Sequence, residues 1–180
     1  MSKSQLIEMA KEGLAHAIAG TIEQAQGVVK VPAQNYYDTQ RWQIEMDRVF
    51  GRLPLMIATS IEIPNPGDYK ALDAGDVPVL ITRDMEGEIH AFVNSCAHRG
   101  AQIMDAGCGS AKRFTCPYHA WSFNHSGELT HIYAPKDFGE INKDSYGLVP
   151  LKVLERSGLI WVITNPKTQL DIEKFLSVYD

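Results

Sequence analysis

Two short segments of this chain each pair a cysteine with a histidine. They are Cys96-Ala-His98 and Cys116-Pro-Tyr-His119, separated by residues 99 to 115. Together they offer two thiolates and two imidazoles, which bind soft and borderline transition metals. A metal centre that uses both segments fixes a long-range contact, so it restricts what the chain can fold into. Because each segment supplies one ligand of each kind, the thiolates can converge on one metal ion and the imidazoles on another.

Two kinds of metal centre use two Cys and two His. In zinc fingers, Cys pairs with Cys and His pairs with His at short spacings. The mixed pairs found here instead match a Rieske centre, in which two His replace two Cys on one iron of a [2Fe–2S] cluster. Two ferric ions, two sulfides, two thiolates and two neutral imidazoles sum to zero charge, which raises the reduction potential to roughly −150 to +300 mV, against about −400 mV for plant-type ferredoxins. A structural zinc site is the alternative, and the absence of visible colour would identify it.

The residues around the ligands point to a family. Cys-Ala-His-Arg-Gly-Ala at 96–101 and Cys-Pro-Tyr-His-Ala-Trp at 116–121 resemble the cluster-binding pair of Rieske non-haem iron oxygenases, in particular the N-terminal domain of aromatic-ring-hydroxylating dioxygenase α subunits. The resemblance covers about residues 36 to 166. Two departures are visible: Ala120 stands where the family usually has Gly, and residues 53–55 (Leu-Pro-Leu) stand where a Trp is common.

The resemblance implies a mainly β chain, with a Rieske-type β-sandwich that carries cluster-binding loops and follows an N-terminal helical segment. It implies three parts: a helical segment at 1–38, the Rieske domain at 39–166, and the start of a linker to an absent catalytic domain at 167–180. It implies no catalytic residue in this chain. The implied ligands of the [2Fe–2S] cluster, with the histidines bound through Nδ1, are Cys96, His98, Cys116 and His119.

The same resemblance implies a function in electron transfer. An α subunit of this family is an oxidoreductase that receives electrons from a ferredoxin or reductase and passes them to mononuclear iron, between neighbouring α subunits of a trimer. That iron would be held by two His and one carboxylate in the missing domain. The alternative is a stand-alone Rieske ferredoxin. The N-terminal helix and the tail at 170–176 favour the oxygenase, because compact ferredoxins need neither.

Composition sets further limits. Hydrophobic residues make up 44% of the 180 residues and charged ones 22%, as in a globular protein. A net charge of −5 without a basic cluster argues against nucleic acid, and no apolar run suits a membrane or a secretory signal. The third cysteine, Cys108, is expected to fill a turn, with a role as a further ligand as the alternative. One remaining thiol cannot form an internal disulfide, which predicts a reduced, cytoplasmic setting.

Hydrophobic periodicity predicts helices at 4–26 and 39–49. The first should dock on the domain or on a neighbouring subunit. Tyr118 and Trp121 either shield the cluster from water or pack as ordinary core residues. The other histidines, His16, His90, His125 and His131, have no spacing that suggests a site. Predicted strands are 56–63, 77–82, 88–94, 112–116, 120–124, 147–154 and 158–163.

Overall fold

The computed structural model describes residues 2–177. Ten strands form two antiparallel sheets, which confirms the mainly β prediction. The large sheet has the order β1-β10-β9-β4-β3-β2-β5, and the small sheet has the order β6-β7-β8. The strands are β1 Leu55–Thr59, β2 Asp68–Ala74, β3 Val77–Arg83, β4 Ile89–Val93, β5 Gly107–Ser110, β6 Phe114–Thr115, β7 Ser122–Phe123, β8 Leu129–His131, β9 Pro150–Arg156 and β10 Leu159–Ile163.

The predicted hairpin of 77–82 and 88–94 is confirmed as β3 and β4. The strand expected at 56–63 ends at Thr59, because residues 60–62 turn into a short 3-10 helix. The strands β2, β5 and β8 were not predicted from the sequence. Of these, β5 has the sequence Gly-Cys-Gly-Ser, which has little β propensity and forms a strand by pairing with β2.

The N-terminal helix α1, Lys3–Ala19, is shorter than the predicted 4–26. Ser2 caps its start through a reciprocal capping box with Gln5, and Gly20 ends it in the left-handed conformation. In the described part of the chain no residue of α1 is buried, so the predicted docking on this domain is wrong. The second helix, α2, runs Thr39–Glu45 and continues through a π turn to Phe50.

The strand β3 faces two cores, because its side chains alternate between the two faces of the sheet. Leu80 faces a core shared with the small sheet and the two Cys-His loops. Val79 and Ile81 face a second core inside the large sheet. The two sheets approach closely at Gly127, where an added Cβ would clash with the Phe92 ring. This sheet-on-sheet arrangement holds the loops of 94–106 and 116–121 against a rigid base.

The last helix, α3 Ile172–Leu176, lies within the predicted linker. Its Ile172 and Leu176 are buried with Ile163 of β10. The tail therefore packs on the large sheet, whereas the sequence predicted only the start of a linker here. The proposed division of the chain at 38 and 166 stays a prediction. No helix within residues 2–177 is long and apolar enough to cross a membrane.

Candidate iron–sulfur site

The first ligand loop follows the end of β4. The Cys96 backbone N–H donates to the carbonyl oxygen of Ala101 at 2.8 Å, and the Gly100 N–H donates back to the Cys96 carbonyl at 2.8 Å. Gly100 closes this loop with φ +71°, a left-handed conformation that costs glycine little. Asn94 fixes the base of the loop, because its side chain accepts from the backbone N–H groups of Ile103 and Met104.

The second ligand loop follows β6 and repeats the same pattern. The Cys116 N–H donates to the carbonyl oxygen of Trp121 at 2.8 Å, and the Ala120 N–H donates to the Cys116 carbonyl at 3.0 Å. Ala120 has φ +56°, so it occupies the left-handed position that Gly100 fills in the first loop. The two segments therefore form two copies of one turn. In each copy the cysteine begins the turn, and both its backbone N–H and its carbonyl oxygen are hydrogen-bonded within the turn.

The two turns bring like ligands together. Cys96 and Cys116 are both buried in the same core, where the Cys116 thiol is near enough to affect the pKa of Cys96. The imidazoles of His98 and His119 meet with ring centroids 4.6 Å apart. The structure thus brings all four predicted residues to one place as a thiol pair and an imidazole pair. Within residues 2–177, no three His, Cys, Asp or Glu side chains are placed to hold one metal ion.

The electrostatics of the site suit metal ligands. Burial raises the pKa of the Cys96 thiol, while the backbone N–H groups of His98 and Arg99 hydrogen-bond its sulfur and oppose that rise. Burial also lowers the pKa of His98, and the charges of His119 and Arg99 lower it further, so its neutral form is favoured. Neutral imidazole is the form that binds a metal, and a metal ion stabilises a buried thiolate.

The Nδ1 atoms provide a test of whether a metal group fits. The Nδ1 atoms of His98 and His119 are both buried and have no hydrogen-bond partner. Buried polar groups in native proteins are almost always paired, because an unpaired one costs about 1–3 kcal/mol. Iron bound at Nδ1, the nitrogen that the family resemblance implies, would give both of these buried atoms a partner. The residues present therefore fit a [2Fe–2S] cluster.

Aromatic rings surround the imidazoles. Trp121 is 1% exposed and stacks on His98, so it is both a core residue and a neighbour of the site. Tyr118 contacts His119 with ring centroids 3.8 Å apart, but 59% of Tyr118 is exposed. Phe138 meets His98 edge-on at 5.3 Å. Phe138 was not predicted from the sequence, since its spacing from the ligand segments does not mark it as part of the site.

The remaining candidates lie apart from this ring cluster. Cys108 is exposed on the edge strand β5 and not in a turn as expected. His90 pairs with Asp84 at 2.6 Å, and the Nε2 of buried His125 lies 2.8 Å from the Ala111 carbonyl oxygen. His16 contacts Thr21 at the end of α1.

The comparison with protein families decides the kind of domain. The model of the Rieske [2Fe-2S] domain matches residues 54–152, which contain both turns. The chain belongs to the Rieske [2Fe-2S] domain family. The cofactor of such a domain is a Rieske [2Fe–2S] cluster and its role is electron transfer, so the family match favours this cluster over the zinc alternative.

Individual relatives of this Rieske domain are oxygenase subunits. The chain is 31% identical over 151 residues to the anthranilate 1,2-dioxygenase large subunit of Acinetobacter baylyi, with 83% of this chain and 32% of the relative covered. It is 32% identical over 165 residues to the glycine betaine monooxygenase oxygenase subunit of Chromohalobacter salexigens, with 91% and 36% covered. The chain thus spans about a third of the length of these curated relatives.

A solved structure confirms the fold over almost the whole chain. Naphthalene 1,2-dioxygenase from Rhodococcus sp. superposes with a TM-score of 0.74 at 30% identity, covering 98% of this chain and 39% of that one. The expected Rieske-type fold with an N-terminal helix is therefore confirmed.

Proposed function

We propose that Cys96 and Cys116 hold one iron of the cluster and that His98 and His119 hold the other through Nδ1. The observation that carries this assignment is the pair of buried, unpartnered Nδ1 atoms beside two buried thiols. When bound, the cluster supplies a one-electron carrier of raised potential. The backbone N–H groups of His98 and Arg99 stabilise the Cys96 thiolate. The aromatic rings hold the imidazoles in place and restrict access of water.

We further propose that the chain is the Rieske part of an oxygenase α subunit, and so part of an oxidoreductase. Its electrons would come from a ferredoxin or reductase and go to mononuclear iron in a neighbouring α subunit of a trimer, in the cytoplasm. The names of the relatives, a dioxygenase and a monooxygenase subunit, support this placement. Because the chain spans only about a third of these relatives, we propose that the mononuclear iron is held by the part of such a subunit that this chain does not cover.

The names of the two relatives give different substrates. One relative is named for anthranilate and the other for glycine betaine, yet the two match this chain at nearly equal identity. A Rieske domain of this kind thus serves both classes of substrate. We propose that substrate selection depends on the same outside region as the mononuclear iron.

The ligand assignment is tested by spectroscopy and metal analysis of purified chain. We expect a coloured protein with two iron and two sulfide per chain, and a rhombic EPR signal with average g below the free-electron value after dithionite reduction. Cys116→Ser and His119→Ala should abolish the signal. Cys108→Ser, the matched control at an exposed cysteine, should keep it. Retention of the signal in either ligand variant would exclude that residue as a ligand.

The oxygenase assignment is tested by mixing the reduced chain with an oxygenase α trimer whose own Rieske ligands have been removed. Restored hydroxylation would mean that this chain acts as a mobile carrier, as a ferredoxin does. We expect none, because an α-subunit domain works from a fixed place in its own trimer.

A further inference from the structure

Trp121 lies against the proposed ligands without belonging to them. Its indole ring is nearly parallel to the imidazole of His98, with ring centroids 4.8 Å apart and an angle of 10° between the planes. Phe138 and Tyr146 meet the indole edge-on at 5.7 and 5.6 Å. Trp121 is held on several sides, and it in turn holds the ring plane of His98.

The indole nitrogen of Trp121 shares a feature with the two proposed iron ligands. Four buried side-chain polar atoms within residues 2–177 have no hydrogen-bond partner. Three of them belong to this one group of contacting rings: His98 Nδ1, His119 Nδ1 and Trp121 Nε1. An indole N–H can only donate, and leaving it unpaired in the interior costs about 1–3 kcal/mol. Three unpartnered polar atoms thus lie within one group of contacting rings.

We infer that Trp121 is a positioning residue of the Rieske centre, which fixes the plane of His98 by stacking and donates a hydrogen bond from Nε1 to a sulfur of the cluster. This inference rests on the proposed ligand set. The cluster contains sulfide and thiolate sulfurs, which accept hydrogen bonds from their surroundings. They supply the acceptor that the protein itself does not offer to this buried donor.

Such a hydrogen bond has a consequence for the potential. Reduction adds a negative charge to the cluster, and a donor aimed at sulfur stabilises that charge. Removal of the Nε1–H should therefore make the reduction potential more negative. Loss of a packing contact alone has no such specific effect on the sulfurs.

The test compares two variants. Trp121→Phe keeps an aromatic face for His98 and removes the donor. We expect it to bind the cluster, to have a more negative midpoint potential, and to lose one exchangeable deuteron coupling in ENDOR spectra of the reduced protein in D2O. Tyr146→Leu is the matched control, because it removes an edge contact to Trp121 without touching the donor. Its potential and deuteron couplings should equal those of the unchanged chain.

A Trp121→Phe variant that binds the cluster with an unchanged potential and all deuteron couplings would overturn this inference while the ligand assignment stands. Failure of the unchanged chain to bind any cluster would instead overturn the ligand assignment. If Trp121→Phe does not fold, labelling the tryptophan indole nitrogens of the unchanged chain with ¹⁵N decides the question. A ¹⁵N coupling in ESEEM spectra is expected, and its absence would refute the hydrogen bond.

Discussion

At the scale of single residues, the two ligand turns differ in their closing position. Gly100 and Ala120 both have positive φ, at +71° and +56°. For an L-residue with a Cβ this conformation costs roughly 1–2 kcal/mol, whereas for glycine it is nearly free. The departure from the family pattern that the sequence shows at Ala120 is therefore a strained position in the structure.

Replacing Ala120 by Gly should relieve this strain. We expect Ala120→Gly to raise the free energy of unfolding by about 0.5–1 kcal/mol, since part of the gain is lost to the greater freedom of glycine in the unfolded chain. Urea unfolding followed by circular dichroism measures the change.

The converse substitution provides the control. Gly100→Ala should destabilise the chain by a similar amount, through its positive φ. The new Cβ adds no clash, because it would meet only Ser95 Oγ at 3.7 Å, an ordinary contact. Equal stabilities for the original chain and Ala120→Gly would show that the turn adapts to Cβ without cost.

At the scale of elements, an ion pair connects the end of β3 to β9, which lies far from it in the sequence. Arg83 at the end of β3 makes two hydrogen bonds to Glu155 of β9, at 2.7 and 3.1 Å. Two further N–H groups of Arg83 donate to the carbonyl oxygens of Ile63 at 2.8 Å and Gly87 at 2.7 Å. This hydrogen bonding by Arg83 lowers the pKa of Glu155 below its ordinary 4.5, against an opposing effect of burial.

The sign of the pH dependence follows from that shift. A carboxylate with a lowered pKa in the folded state contributes stability above its unfolded pKa and loses it as pH falls through the folded value. Glu155→Gln should therefore cost about 2 kcal/mol at neutral pH, and the difference from the unchanged chain should shrink below about pH 4.5.

Thermal unfolding of both chains across pH 3 to 7, about the range over which carboxylates titrate, checks this dependence. Glu86→Gln, an exposed carboxylate on the turn after β3, is the control and should have little effect. A stability difference that stays constant with pH would separate the role of Glu155 from its charge.

At the scale of the whole molecule, only one of the two main cores contains proposed ligands of the cluster. The core between the two sheets contains Cys96, Cys116 and Trp121, whereas the core inside the large sheet contains none of the proposed ligands. Metal binding stabilises the state that holds the ligands together, so its loss should act first on the core that contains them.

Hydrogen exchange on the Cys116→Ser chain tests this division. We expect the protection of backbone amides to fall in residues 94–106, 114–131 and 138–148. It should persist in β10 and at Val79 and Ile81 of β3. The cluster-loaded chain serves as the reference. A uniform loss of protection in both sheets would show instead that the molecule unfolds as one unit.

Local patterns in the sequence predicted a large part of this molecule. The apolar runs of β3 and β4, separated by the turn at residues 85–87, predicted a hairpin, because a strand buried on both faces has a nearly continuous apolar sequence. The strand β5, by contrast, has two glycines and no apolar side chain, so only its pairing with β2 makes it a strand. The helix α1 follows its caps, but its periodicity does not reveal what it packs against.

The sequence by itself determined the ligand types, their mixed pairing and the family, since these depend on residue identity at short spacing. Only the tertiary structure decided that thiol lies beside thiol and imidazole beside imidazole, and that both Nδ1 atoms are buried without a partner. It also placed Phe138 and Trp121 around His98. The physical reason is that such contacts join residues far apart in the chain, and the packing of the two sheets, which no local pattern encodes, sets their distances.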